Sequence, residues 1–134
     1  MLYVVWIDSW QMQCCGDPFQ VGDRIAWTLS DQPDRDWLAA VVGDDVAQRV
    51  THAEEHHGGL PDDLPATTGQ VLAISSVSCR YAPDPQRGDA RTVFPVPGSG
   101  RLLKAQKATG WEPDSPDHQF NGYLVELRVG EQES

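Results

Sequence analysis

The stretch "FQVGDRIAWTLS", residues 19–30, decides the fold class. Ile25, Trp27 and Leu29 fall on one side of an extended chain, and Arg24, Ala26 and Thr28 fall on the other. That period of two belongs to a half-buried strand. Gly22 and Asp23 supply the turn that leads into it. Just upstream, "CCGDPF" (residues 14–19) reads as a turn, in which Gly16 admits positive φ and Pro18 fixes φ while removing a backbone donor.

Moving outward, "LYVVWID" (residues 2–8) is apolar on both sides, with Tyr3, Val5 and Ile7 on one and Leu2, Val4 and Trp6 on the other. It predicts a strand covered on both faces. After Ser30 the period changes. Leu38, Val41, Val42, Val46 and Val50 mark a helical stripe, Asp34 or Asp36 is placed to cap its start, and Gly43 followed by Asp44 predicts a break and a second short helix capped by Asp44. Residues 56–69 are rich in Gly and Pro and predict a loop. "GQVLAISSVSCRY" (69–81) is the strongest strand signal, with Val71, Ala73, Ser75, Val77, Cys79 and Tyr81 on one face. Short extended pieces are expected at "TVF" (92–94) and "RLLKAQKATGW" (101–111). "FNGYLVELRV" (120–129) closes the pattern, with Tyr123, Val125, Leu127 and Val129 facing one way.

Several short strands joined by turns, with one helical insertion after the second strand, predict a mainly β protein. The expected architecture is a small SH3-like or OB-like barrel, or a bent sheet. No internal repeat or linker divides the chain, so residues 1–134 are expected to form a single domain; at this length a hydrophobic core suffices without disulfides or metal. Asp and Glu outnumber Lys and Arg by 20 to 10, giving a net charge of −10. That charge disfavours nucleic acid and anionic membranes as partners and leaves a protein or small-molecule ligand. No apolar run reaches the length of a membrane span, the N-terminus lacks a basic segment ahead of its apolar residues, and three cysteines are an odd count. These features predict a cytoplasmic protein.

The residue types able to carry chemistry gather in two places. His52, His56 and His57 lie in "THAEEHHGG" (51–59), and Cys14 and Cys15 adjoin the turn at Gly16. On a helix, His52, Glu55 and His56 would form the H-x-x-E-H zinc motif, with both histidines on one face. On a strand, His52 and Glu54 would share a face instead. Cys14, Cys15 and Cys79 together with His52, His56 and His57 form a candidate mixed zinc set, because thiolates and imidazoles suit zinc in a tetrahedron. A thiol nucleophile at Cys14 or Cys15 would need one of those histidines beside it. The alternative is that the cysteines simply fill space at a turn. Trp6, Trp10 and Trp27 read as core, and an aromatic pair beside acidic residues would suit an uncharged or cationic ligand. The acidic pairs Asp44–Asp45 and Asp62–Asp63 read as helix starts and solvated surface.

"VWIDSWQMQCCGDPFQVGDRIAW" (5–27), taken with "RVTHAEEHHGG", "TGQVLAISSVSCRY" and "FNGYLVEL", resembles a group of small uncharacterised bacterial proteins classed as a domain of unknown function and marked by W-Q-x-Q-C-C-G-x-P-F-x-V-G-D. The resemblance implies no activity, catalytic residue or cofactor. The expectation is therefore a binding or interaction module without a catalytic step, with a ligand face near the Cys14–Gly16 turn and the histidine segment. A Cys/His zinc protein, structural or hydrolytic, is the alternative.

Overall fold

A computed structural model describes residues 1–55, 65–84, 86 and 91–130, and of Cys15 the backbone alone. Strand β1 (Leu2–Asp8) runs through the centre of the main sheet. Its alternation splits the core as the sequence predicts. Val5 and Ile7 join one apolar cluster with Val71, Ile74, Tyr123, Val125 and Leu127; Trp6 joins a second with Leu38, Val41, Val50, Val77 and Leu124, against which Val4 packs.

The chain then enters α1 (Ser9–Cys15), which replaces the turn expected at the two cysteines. Gly16 caps the helix at φ −87°, so its role is not positive φ. A Cβ there would lie 2.9 Å from the Met12 Cα, and glycine is needed for close approach. The helix rotates Trp10 out to 52% exposure, against its expected place in the core, and turns Met12 into the first cluster. Beyond it come β2 (Phe19–Gln20), β3 (Arg24–Trp27) and β4 (Leu29–Ser30), followed by α2 (Arg35–Val42) and α3 (Asp44–Arg49). Asp34 caps α2, its carboxylate accepting from the Trp37 N–H at 3.1 Å. Asp44 does not cap α3: Gly43, at φ 90°, holds that place, and Asp44 is the first helical residue.

The remaining strands are β5 (His52–Glu54), β6 (Thr67–Cys79), β7 (Tyr81–Pro83), β8 (Val93–Pro95), β9 (Arg101–Ala105), β10 (Lys107–Ala108) and β11 (Gln119–Val129). β1 pairs antiparallel with β11 from Leu2–Arg128 to Asp8–Gly122, and parallel with β5 at Val5–His52 and Trp6–Ala53. β11 pairs with β6, and β6 with β3; at the other edge β5 pairs with β4. β3 and β4 are one segment interrupted at Thr28, so this segment belongs to both edges of the sheet and curls it into a nearly closed barrel. The Glu55 N–H donates to the Thr28 carbonyl at 3.0 Å across the seam. Read from β6, the circuit β6–β11–β1–β5–β4/β3, with its one parallel pair and a helix after β1, is that of a five-stranded OB barrel started at its third strand.

A bulge at Leu72 corrects the face predicted for β6, and a second bulge, at Asn121, lies in β11. The register with β11 shifts between Glu126 and Leu127, leaving Leu72 without an opposite residue, and again between Phe120 and Gly122, leaving Asn121 so. Each inserted residue reverses which neighbours face inward. Val71 and Ile74 therefore point into the barrel while Val77 and Cys79 join the outer cluster, which α2 and α3 cover. The barrel's lower end is plugged by Met12, Phe19 and Ala108, the last two from the β2–β10 ribbon.

Candidate functional site

Residues 52–54 form a strand, which excludes the helical zinc motif there, because His52 and Glu55 then point to different sides. His52 stacks on Tyr3 with ring centroids 3.9 Å apart, and its Nδ1 lies 2.8 Å from the Thr51 hydroxyl. Burial lowers its pKa, opposed by Asp31. His56 and His57 lie outside the described residues, as do Asp62 and Asp63. Cys14 is exposed on α1, whereas Cys79 is fully buried in the outer cluster, and burial raises its thiol pKa. Among the described residues no group of three His, Cys, Asp or Glu side chains is placed to hold a metal ion.

The two predicted segments nevertheless meet, through other residues. Glu54, two residues after His52 on the same face of β5, is 2% exposed. Burial, reinforced by neighbouring Glu55, pushes its carboxyl pKa up to about 8. It sits between two clefts. One, of about 360 Å³, is lined by Met12, Gly16, Asp17, Phe19, Arg24 and Trp27 as well as Glu54. The other, of about 260 Å³, lies between α1, β5 and α2 and is lined by Asp8, Gln11, Asp34, Glu54, Glu55, Trp6 and Trp37.

This second cleft concentrates the perturbed groups. Asp8 ends β1, where the chain turns into α1, and burial raises its pKa against the opposing hydrogen bonds from Trp6 and Gln11. The Trp6 Nε1–H donates to Asp8 Oδ1 at 2.9 Å. Trp6 and Trp37 stand 5.5 Å apart with planes tilted by 55°. Carboxyl groups held toward their neutral form by burial gain the most from an arriving positive charge, because that charge offsets the desolvation that raised them. Aromatic faces beside them add cation–π attraction. Chemically, the arrangement can receive a compact cation.

Sequence reasoning passed over Asp8, Gln11 and Glu54. The one available signal was the strand reading of residues 52–56, which places Glu54 on the face of His52. No pattern in "THAEEHH" marks one of two adjacent glutamates as buried.

A family profile matches residues 1–129, and its description is a family of unknown function, DUF6578. The chain belongs to DUF6578. No curated protein and no solved structure matches this DUF6578 chain. Among its described residues no helix is long and apolar enough to cross a membrane.

Proposed function

We propose that this DUF6578 chain is a binding module for a small organic cation, an alkylammonium or guanidinium compound, held in the cleft between α1, β5 and α2. The observation that carries this reading is the buried Glu54 carboxyl beside Asp8 and Glu55, against the Trp6–Trp37 wall. The net charge of −10 raises the local concentration of cations and speeds their encounter with the surface. Glu54, with a pKa of about 8, carries its proton at neutral pH and gives it up as the cation arrives.

Titration with methylguanidinium and with propylammonium at pH 7, followed by tryptophan fluorescence and calorimetry in two buffers of different ionisation heat, tests this. Saturable binding with proton release is expected, weakened about tenfold by Glu54→Gln. Equal binding of the neutral analogues urea and propionamide would refute the cation reading. Turnover of any substrate that is lost with Glu54→Gln would replace binding by catalysis.

A further inference from the structure

The helical layer covers only part of the barrel's outer face. α3 ends at Arg49, Val50 is fully buried, and the chain drops into β5. Among the described residues, nothing covers the strip of β1, β6 and β11 beyond that point, which forms the floor of a cavity of about 440 Å³, through Val4, Ala73 and Leu124. Leu102 of β9 contributes one wall and Arg49 another, with Glu126 also lining it. It shares no lining residue with the acidic cleft. The volume lies in the range of small-molecule sites.

Two features give this cavity a direction. Its apolar lining stays partly in water: Leu2 is 52% exposed and Leu102 37%. Covering such surface with a ligand's hydrocarbon is favourable at roughly 25 cal/mol per Å². At the rim, the exposed Arg49 guanidinium has no hydrogen bond, ion pair or ring contact among the described residues. Arg35 and Arg128, by contrast, donate to the Val50 carbonyl and to Gln70. The Thr51 hydroxyl is already engaged by the backbone N–H and carbonyl of Val4, and among the described residues Arg49 is the one cationic side chain lining the cavity.

We infer that this cavity binds a small aliphatic monocarboxylate, its chain on Leu2, Val4, Leu102 and Leu124 and its carboxylate on the Arg49 guanidinium. Arginine matches a carboxylate with two parallel N–H donors. Glu126 disfavours a second negative charge on the ligand, which selects a monoanion over a diacid. The occupant is opposite in charge to the cation proposed for the acidic cleft, and the inference stands independently of that reading.

The test is an amide-resonance NMR titration with hexanoate, hexanamide and hexane-1,6-dioate. Hexanoate is expected to shift resonances around Leu2, Val4, Leu102 and Leu124 with saturation. Hexanamide and the dianion are expected to bind at least about tenfold more weakly, the size of one lost charge-assisted contact. Arg49→Gln, on an exposed helix end, should reproduce that loss with an unchanged spectrum in the absence of ligand. Equal binding of hexanoate and hexanamide, or an unaltered hexanoate affinity in Arg49→Gln, overturns the assignment. Leu102→Ser gives a second reading on the apolar wall: it should weaken hexanoate and hexanamide alike, and no effect on either overturns the placement.

Discussion

Replacing Glu54 by glutamine should change how stability depends on pH. In the folded protein the Glu54 carboxyl keeps its proton up to about pH 8, against an ordinary value of 4.5. Between those two values the folded state holds more protons than the unfolded one, so stability falls as pH rises through that window. Below it both states are protonated and the group contributes nothing; above it the whole cost of a buried charge is present. At about 1.4 kcal/mol per pH unit, the window spans about 4–5 kcal/mol. That is a large share of the 5–15 kcal/mol typical of a domain, and it corresponds to roughly 10–20 °C in Tm at this chain length. Glutamine keeps the volume and polarity without the charge. Urea denaturation followed by tryptophan fluorescence, repeated from pH 4 to pH 9, should give converging curves for wild type and Glu54→Gln near pH 4 and an advantage for the variant that widens from about pH 4.5 and levels off above about pH 8. Asp8, raised by burial, adds loss of the same sign just above its ordinary value of 3.8. His52, lowered by burial, acts oppositely, losing stability as pH falls below 6.5. Both remain in the variant, so the difference curve isolates Glu54. Parallel curves across the whole range would refute the argument.

Gly122 packs so closely that a Cβ would collide with the Ile7 carbonyl oxygen, and its φ is 155°. Gly122→Ala is expected to cost about 3 kcal/mol or more in urea denaturation, through strain at the β1–β11 ladder. The Tyr123 hydroxyl donates to Glu112 at 2.9 Å and accepts from the Gly110 N–H at 2.9 Å, so Tyr123→Phe should cost about 1–3 kcal/mol, mostly from the stranded Gly110 donor. In a variant carrying Cys14→Ser and Cys15→Ser, the remaining Cys79 thiol should resist a disulfide reagent in native buffer and react on unfolding, because it is fully buried. Rapid native labelling would contradict its place in the core.

The strands that build the barrel wall were legible because each alternates against a uniform environment: Tyr123, Val125 and Leu127 face the interior, and Val5 and Ile7 do so one strand over. The α2 start was legible because Asp34 is a short polar acceptor ahead of an apolar stripe. Three things were not. α1 has seven residues, too short for a helical period to stand out. The bulges at Leu72 and Asn121 depend on how two distant strands pair, which neither strand encodes alone. The acidic cleft depends on ring closure at Thr28, which brings β5 beside α1 and buries Glu54. The zinc set was proposed from residue types; the described members, Cys14, Cys79 and His52, have separate environments.

The central place of β1 has a consequence for the chain's synthesis. Its long partner is β11, paired along the whole of Leu2–Asp8, while the parallel contact with β5 covers only Val5 and Trp6. The "VVWI" segment of β1 is synthesised more than a hundred residues ahead of β11, and has no lasting strand partner until β11 has followed it. Barrel closure then waits for β11, and until that strand emerges the nascent chain carries an exposed apolar segment of the kind that chaperones shield.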